Sequence, residues 1–291
     1  MRADRAELIA HYNFPLDRFQ VQAMDALDDG QSVLVAAPTG SGKTVVAEYG
    51  IEAALRSGRR AFYTAPIKAL SNQKFRDLVG RYGPERVGLL TGDNAINGDA
   101  PVVVMTTEVL RNMIYAKSSA LDDLDLVVLD EVHFLQDAYR GPVWEEVIIH
   151  LPDYVQLVCL SATVSNANEL TEWITTVRGP TTAVLEDRRP VRLENLFMVG
   201  DKTAEHLHML ATIVNDRPNP VAMRLTDEGA QQWRSGRGAR SVHARRKLYA
   251  PSRLEVVERL DNENMLPAIY FIFSRNQCDV AAKNCLAAGL C

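Results

Sequence analysis

The stretch Ala37-Pro38-Thr39-Gly40-Ser41-Gly42-Lys43-Thr44 places two glycines, a lysine and three hydroxyl side chains directly after the apolar run Ser32-Val33-Leu34-Val35-Ala36. A strand that feeds a glycine-rich turn and then a helix-compatible run is built to hold the phosphates of a nucleotide. Backbone N–H groups of Thr39, Gly40, Ser41 and Gly42 would converge on the anion, and the following helix points its positive end at the same place. Lys43 would reach the terminal phosphates as a point charge, and the Thr44 hydroxyl would ligate Mg²⁺. Ala37 stands where the usual pattern has glycine. Such a loop predicts an NTPase without saying what its task is.

A second group of residues narrows the chemistry. Leu126-Val127-Val128-Leu129 runs into Asp130-Glu131-Val132-His133. Four apolar residues bounded by acids read as a strand buried on both faces, and open α/β sheets bind ligands just past such strand ends. Asp130 would hold Mg²⁺, mostly through water. Glu131 would orient and deprotonate an attacking water, with His133 in the same crevice. Solvated acids at an ordinary strand end are the competing reading of this tetrapeptide taken by itself. Leu160-Ser161-Ala162-Thr163, again after apolar residues, supplies a third signature downstream.

In this order, Gly-Ser-Gly-Lys-Thr, Asp-Glu-Val-His and Ser-Ala-Thr resemble the superfamily-two helicases of the DExH type. "FPLDRFQVQAM" is similar to the family's adenine-reading motif, with Phe14 to stack on the base and Gln20 to pair with its edge. "TAPIKALSNQKFRDL" is similar to the first nucleic-acid-contacting motif and assigns that role to Pro66, Ile67 and Lys68. "LLTGDNAIN" and "VMTTEVLRNMIY" are similar to the next two, the latter contributing Thr106, Thr107 and Glu108. "DEVHFLQDAYRGPVWEEVIIHLP", "LSATVSNANELTEWI" and "AIYFIFSRNQC" extend the likeness across most of the chain. Together they point to the superkiller-type branch of RNA helicases. The resemblance implies a RecA-like fold, ATP and Mg²⁺ as cofactors, and translocation on single-stranded RNA. It implies that His133, Ser161 and Thr163 link the ATP site to the RNA groove. It further implies a second RecA-like domain whose arginines face the nucleotide. Since those arginines are expected beyond Cys291, the chain is expected to be part of a longer protein. A repair-type DNA helicase shares every nucleotide motif named here, because RNA is told from DNA by contacts to the 2′-hydroxyl. A nucleic-acid-docking module without turnover is the alternative for the chain by itself.

These residues need a scaffold. Apolar runs at Ser32–Ala37, Arg60–Ala65, Val87–Thr91, Val102–Thr106, Leu126–Asp130, Val155–Ser161 and Thr182–Leu185 read as strands. Helical patterns such as Val45–Arg56 and Ile67–Val79 separate them, and Leu16–Leu27, with Asp17 as a possible cap, precedes the first. This alternation predicts an α/β fold, a parallel sheet with helices on both faces. The expected organisation is an N-terminal helical segment (1–30), a first RecA-like ATP-binding domain (31–190), an extended basic linker (191–250) and the start of a second RecA-like domain (251–291). Within the last two, Val191–Val199 reads as extended, Lys202–Asn215 as helical and Asp216–Tyr249 as a mobile connection. Ser252–Asn262 reads as a helix, Ala268–Phe273 as a strand and Gln277–Leu290 as a helix.

Composition sets wider bounds. The 291 residues are 47% hydrophobic and 24% charged, as in soluble globular proteins. No apolar run is long enough for a membrane span, and the acid-containing N-terminus does not read as a secretory signal. Of the four cysteines, Cys278, Cys285 and Cys291 cluster near the end without zinc-type spacing, so unpaired thiols in a reducing cytoplasm are expected. The net charge of −5 does not argue against a nucleic-acid partner, because a single strand is gripped along a local groove. The acid-free tract holding Arg234, Arg237, Arg240, Arg245, Arg246 and Lys247 reads as a solvated loop, with support of RNA phosphates as the alternative.

Overall fold

A computed structural model describes Arg5, Ile9 and residues 12–163, 166–203, 206–234 and 248–289. It divides into two compact units, Met1–Val191 and Arg192–Cys291. The first opens with α1 (Arg18–Asp28), β1 (Ser32–Ala36), α2 (Thr44–Arg56), β2 (Arg60–Ala65), α3 (Lys68–Tyr82) and β3 (Val87–Thr91). It continues with β4 (Asn94–Ile96), β5 (Val102–Thr106), α4 (Thr107–Tyr115), β6 (Leu124–Leu129), α5 (Gly141–His150), β7 (Gln156–Ser161), α6 (Ala167–Arg178) and β8 (Thr181–Leu185). The strands form one sheet in the order β4-β3-β5-β2-β6-β7-β1-β8, parallel throughout except for the β3–β4 hairpin. This is a RecA-like arrangement.

Side chains alternate between the two faces of each strand, and both faces are apolar. Val33, Val35, Val104, Val128, Val158 and Leu160 pack on one side with residues of α1, α2 and α3. Leu34, Val103, Met105, Val127, Leu129 and Cys159 pack on the other with residues of α4, α5 and α6. A strand that alternates faces yet is apolar at every position has to lie in the middle of a three-layer sandwich. Full burial of each Val or Leu contributes about 1.5–3 kcal/mol. The short β4 went unread in the sequence, although Gly92-Asp93 marks the turn that brings it back on β3.

The second unit departs from expectation in three places. Lys202–Asn215, expected to be helical, instead contains β10 (His206–Ala211), antiparallel to β9 (Leu196–Asp201), and then β11 (Ile213–Val214) paired with β12 (Arg217–Pro218). Leucine and methionine at positions 207 and 209 alternate with His206 and His208, and the adjacent extended segment offers the partner that a strand needs. Asp216–Tyr249 is no uniform connection, since Pro220–Arg234 forms α7, and Leu248–Tyr249 (β13) pairs with β9. Asn219 Oδ1 accepts the Val221 N–H at 2.9 Å, and proline fits the first helical turn because it has no N–H to leave unpaired. Arg234 ends α7, while Arg237, Arg240, Arg245, Arg246 and Lys247 lie outside the described residues.

The third departure is Ala268–Phe273, which is irregular with Ile269, Phe271 and Phe273 exposed. Strands exist only as members of a ladder, and none of the described residues pairs with this segment. Around it lie α8 (Arg253–Asn262), capped by Ser252 Oγ on the Glu255 N–H, and α9 (Arg275–Ala287). Among the described residues no helix is long and apolar enough to cross a membrane. Cys159, Cys278 and Cys285 are free thiols, and Cys291 lies outside the described residues.

Candidate active site

A parallel sheet delivers the C-terminal ends of all its strands to one edge, where loops cross from sheet to helix. Most of the residues singled out above leave from that edge, while Phe14 and Gln20 lie ahead of β1. Thr39 to Lys43 follow β1, Pro66 follows β2, Thr107 follows β5, Asp130 and Glu131 follow β6, and Thr163 follows β7. Backbone bonds lock the adjacent ends together, with Ala37 N–H donating to Ser161 O at 3.2 Å and Asp130 N–H to Thr64 O at 2.9 Å.

The loop after β1 turns on Gly40 and Gly42, at φ +85° and +84°, where a side chain would be strained. Lys43 folds back over the loop, donating from Nζ to the Ala37 carbonyl at 2.6 Å and the Pro38 carbonyl at 3.0 Å. Partial burial lowers the Lys43 pKa, and the negative charges of Glu131 and Asp130 act against that shift. Ser41 is buried and donates from its hydroxyl to the Pro38 carbonyl at 2.8 Å. Thr39 and Gly40 are exposed at the tip.

Across the edge, Asp130 is oriented at both oxygens. Tyr63 donates its hydroxyl to Oδ2 at 2.6 Å, and the Glu131 N–H donates to Oδ1 at 3.0 Å. Burial raises the pKa of the Tyr63 phenol well above its ordinary value, as do the charge of Asp130 and the hydrogen bond to it, so it stays a donor. Lys74 of α3 donates to Thr44 Oγ1 at 3.3 Å and lies 5.8 Å from the centre of the Tyr63 ring. Tyr63 and Lys74 thus tie Thr44 to Asp130, a pairing that no motif had flagged.

Glu131 adopts a left-handed backbone (φ 53°, ψ 44°), a sparsely populated conformation for a residue with a side chain. The kink reverses the chain into the short 3-10 turn Val132–Gln136. Burial raises the pKa of the Glu131 carboxyl, and the neighbouring Asp130 adds to the effect, while His133 and Lys43 pull the other way. A raised pKa makes a carboxylate a better proton acceptor. His133 Nδ1 lies 3.2 Å from Glu131 Oε2.

The donor set suits Mg²⁺. Thr44 and Asp130 offer hard oxygen atoms, and the described residues contain no cluster of three or more His, Cys, Asp or Glu side chains that could cage a metal. Mg²⁺ is commonly held by one or two protein oxygens together with phosphates and water.

Of the two adenine-reading residues, Phe14 is exposed and rests against Tyr12, ring centres 5.3 Å apart. The Tyr12 hydroxyl donates to Glu48, which also takes an N–H of Arg81 at 2.8 Å. Gln20 is only 2% exposed. Its Oε1 accepts the Asp17 N–H at 2.9 Å, and its Nε2 donates to the Gly42 carbonyl at 3.0 Å. Gln20 therefore clamps the phosphate loop to the start of α1, a role its sequence motif did not declare.

Among the residues assigned to nucleic acid, Ile67 is exposed, Pro66 and Thr107 are buried, and Lys68 pairs with Asp93. Glu108 Oε1 accepts an N–H from Arg140 at 2.7 Å, and the same guanidinium donates to the Pro66 carbonyl. Ser161 is buried, with an Oγ that makes no hydrogen bond among the described residues, while Thr163 is exposed.

Residues 17–170 match the model of the DEAD/DEAH box helicases. The chain is 50% identical to the probable helicase HelY of Mycobacterium leprae, over 99% of this chain and 32% of that protein. It is 41% identical to the DExH-box ATP-dependent RNA helicase DExH15 of Arabidopsis thaliana, over 96% of this chain and 27% of that one. Among solved structures, the Mycobacterium smegmatis helicase Lhr bound to single-stranded DNA and AMP-PNP is similar with a TM-score of 0.53. That likeness is at 26% identity and covers 67% of this chain and 29% of Lhr. The chain spans a third or less of the length of these relatives.

Proposed function

The chain belongs to the DEAD/DEAH box helicase family, and from that premise we propose that it is the ATP-binding part of an RNA helicase. ATP hydrolysis there drives movement along single-stranded RNA. The observation that carries this reading is the convergence of Lys43, Thr44, Asp130 and Glu131 on one sheet edge, with the segments at Pro66–Lys68 and Thr106–Glu108 leaving the same edge. Lys43 swings from the Ala37 and Pro38 carbonyls to the terminal phosphates. Thr44 and Asp130 would hold Mg²⁺, which would supply positive charge against the phosphate oxygens. Glu131 takes a proton from the attacking water as its oxygen bonds to the γ-phosphorus. The bond to the bridging oxygen then breaks, and ADP leaves. Phe14 stacks on the base.

RNA is favoured over DNA by the 41% identity to an RNA helicase. The likeness to a DNA-bound helicase supports DNA as the second reading. Hydrolysis by the full-length protein, with single-stranded RNA and DNA of matched sequence, separates the two. Stimulation by RNA well above that by DNA is expected. The reverse preference would transfer the reading to DNA, and stimulation by neither would remove it.

A further inference from the structure

The loop between Glu131 and α5 carries a cation that no motif had assigned a task. Arg140 reaches two segments at once, donating to the Pro66 carbonyl and, at 2.7 Å, to Glu108 Oε1. The guanidinium carbon also lies 5.6 Å from the ring centres of both Phe134 and Trp144, which stack on each other. Phe134 adjoins His133 (ring centres 5.2 Å apart), and His133 is the residue beside Glu131. A continuous line of contacts therefore runs from the candidate water-activating carboxylate to both candidate RNA segments.

The loop is shaped to hold this arginine. Asp137 Oδ1 accepts the N–H groups of Tyr139 and Arg140, both at 2.9 Å, fixing the backbone before α5. A side chain at Gly141 would come within 2.2 Å of the Leu135 carbonyl oxygen, so only glycine lets the loop close this tightly. With the Arg140 side chain 31% exposed and that of Glu108 38%, the ion pair adds little to stability. Its value lies in what it joins.

We infer that Arg140 is a positioning residue that couples the state of the ATP site to the grip on RNA, by tying the Pro66 and Glu108 segments to the loop behind Glu131. This rests on the helicase reading above. Contiguity by itself is not coupling, so the test measures coupling directly. In the full-length protein, the Kd for a fluorescein-labelled single-stranded oligouridylate is measured by anisotropy, once with AMP-PNP and once with ADP. The ratio of the two is the coupling.

The wild type is expected to show a ratio of about fivefold or more, in the range usual for linked sites. Arg140→Gln should bring it to within about twofold of one. Arg140→Lys keeps the charge but is one bond shorter and lacks the planar face, and should lose at least half of the ratio; it carries the test should the glutamine variant fail to fold. A wild-type ratio in a folded Arg140→Gln or Arg140→Lys protein overturns the inference. So does an equal loss of RNA affinity in both nucleotide states, which would make Arg140 an RNA contact or a packing element only. A wild type that does not bind the oligonucleotide, or binds it without regard to nucleotide, overturns the RNA-helicase reading and this inference with it.

Discussion

Two carboxylates side by side, Asp130 and Glu131, are kept distinct by what surrounds each. Asp130 accepts hydrogen bonds at both oxygens, which suits a metal ligand that must not rotate. Glu131 is partly buried beside it, and its raised pKa suits a proton acceptor. Glu131→Gln is expected to lower ATP turnover by about 10² to 10⁴, the range for a lost general base, while ATP still binds. Steady-state turnover and a fluorescent-nucleotide titration on the same protein check both halves. Lys43, Thr44, Asp130 and Glu131 were legible from their order and their places after apolar runs. Tyr63 and Lys74 were not, because each touches the site from another element at long sequence separation. Tyr63→Phe is expected to raise the Mg²⁺ concentration needed for nucleotide binding. Fluorescent-nucleotide titrations at graded Mg²⁺ would reveal it, and an unchanged Mg²⁺ requirement would count against the role.

At the scale of elements, the phosphate loop depends on a contact with α1 that closes far from it in sequence. Gln20 spans Asp17 and Gly42, and a Cβ at Gly42 would sit 2.7 Å from Gln20 Nε2. Gly42→Ala therefore meets both that contact and a φ of +84°. It is expected to abolish nucleotide binding while leaving the far-ultraviolet circular dichroism of the sheet and helices unchanged; loss of that spectrum would show that the loop supports the whole fold. Most of the parallel strands were readable because they are apolar at nearly every position and alternate with helical patterns. The segment His206–Ala211 was misread because its short alternation fits a helix face as well as a strand. Only the neighbouring β9, which the chain supplies upstream, decides between them.

At the scale of the whole molecule, the first unit contains every motif assigned to the nucleotide, and the strands among the described residues of the second form one three-stranded and one two-stranded antiparallel sheet. The relatives are about three times as long. On the helicase reading proposed above, arginines that stabilise the transferring phosphate would come from the part of the relatives that this chain does not match, and such contributions are worth about 10³ to 10⁵ in rate. The 291-residue chain is therefore expected to turn ATP over far more slowly than a polypeptide of the relatives' full length. Parallel assays of the two would contradict this if their rates agreed within an order of magnitude. Nucleotide binding is different in kind, since the candidate phosphate loop and both proposed Mg²⁺ ligands, Thr44 and Asp130, lie on the first unit's sheet edge. The most direct test of the central claim is a titration of this chain with fluorescent ATP, with and without Mg²⁺, in wild-type and Lys43→Ala forms. Saturable, Mg²⁺-dependent binding that Lys43→Ala removes is the predicted result. Binding of equal strength in both proteins, or none in the wild type at millimolar nucleotide, would contradict it.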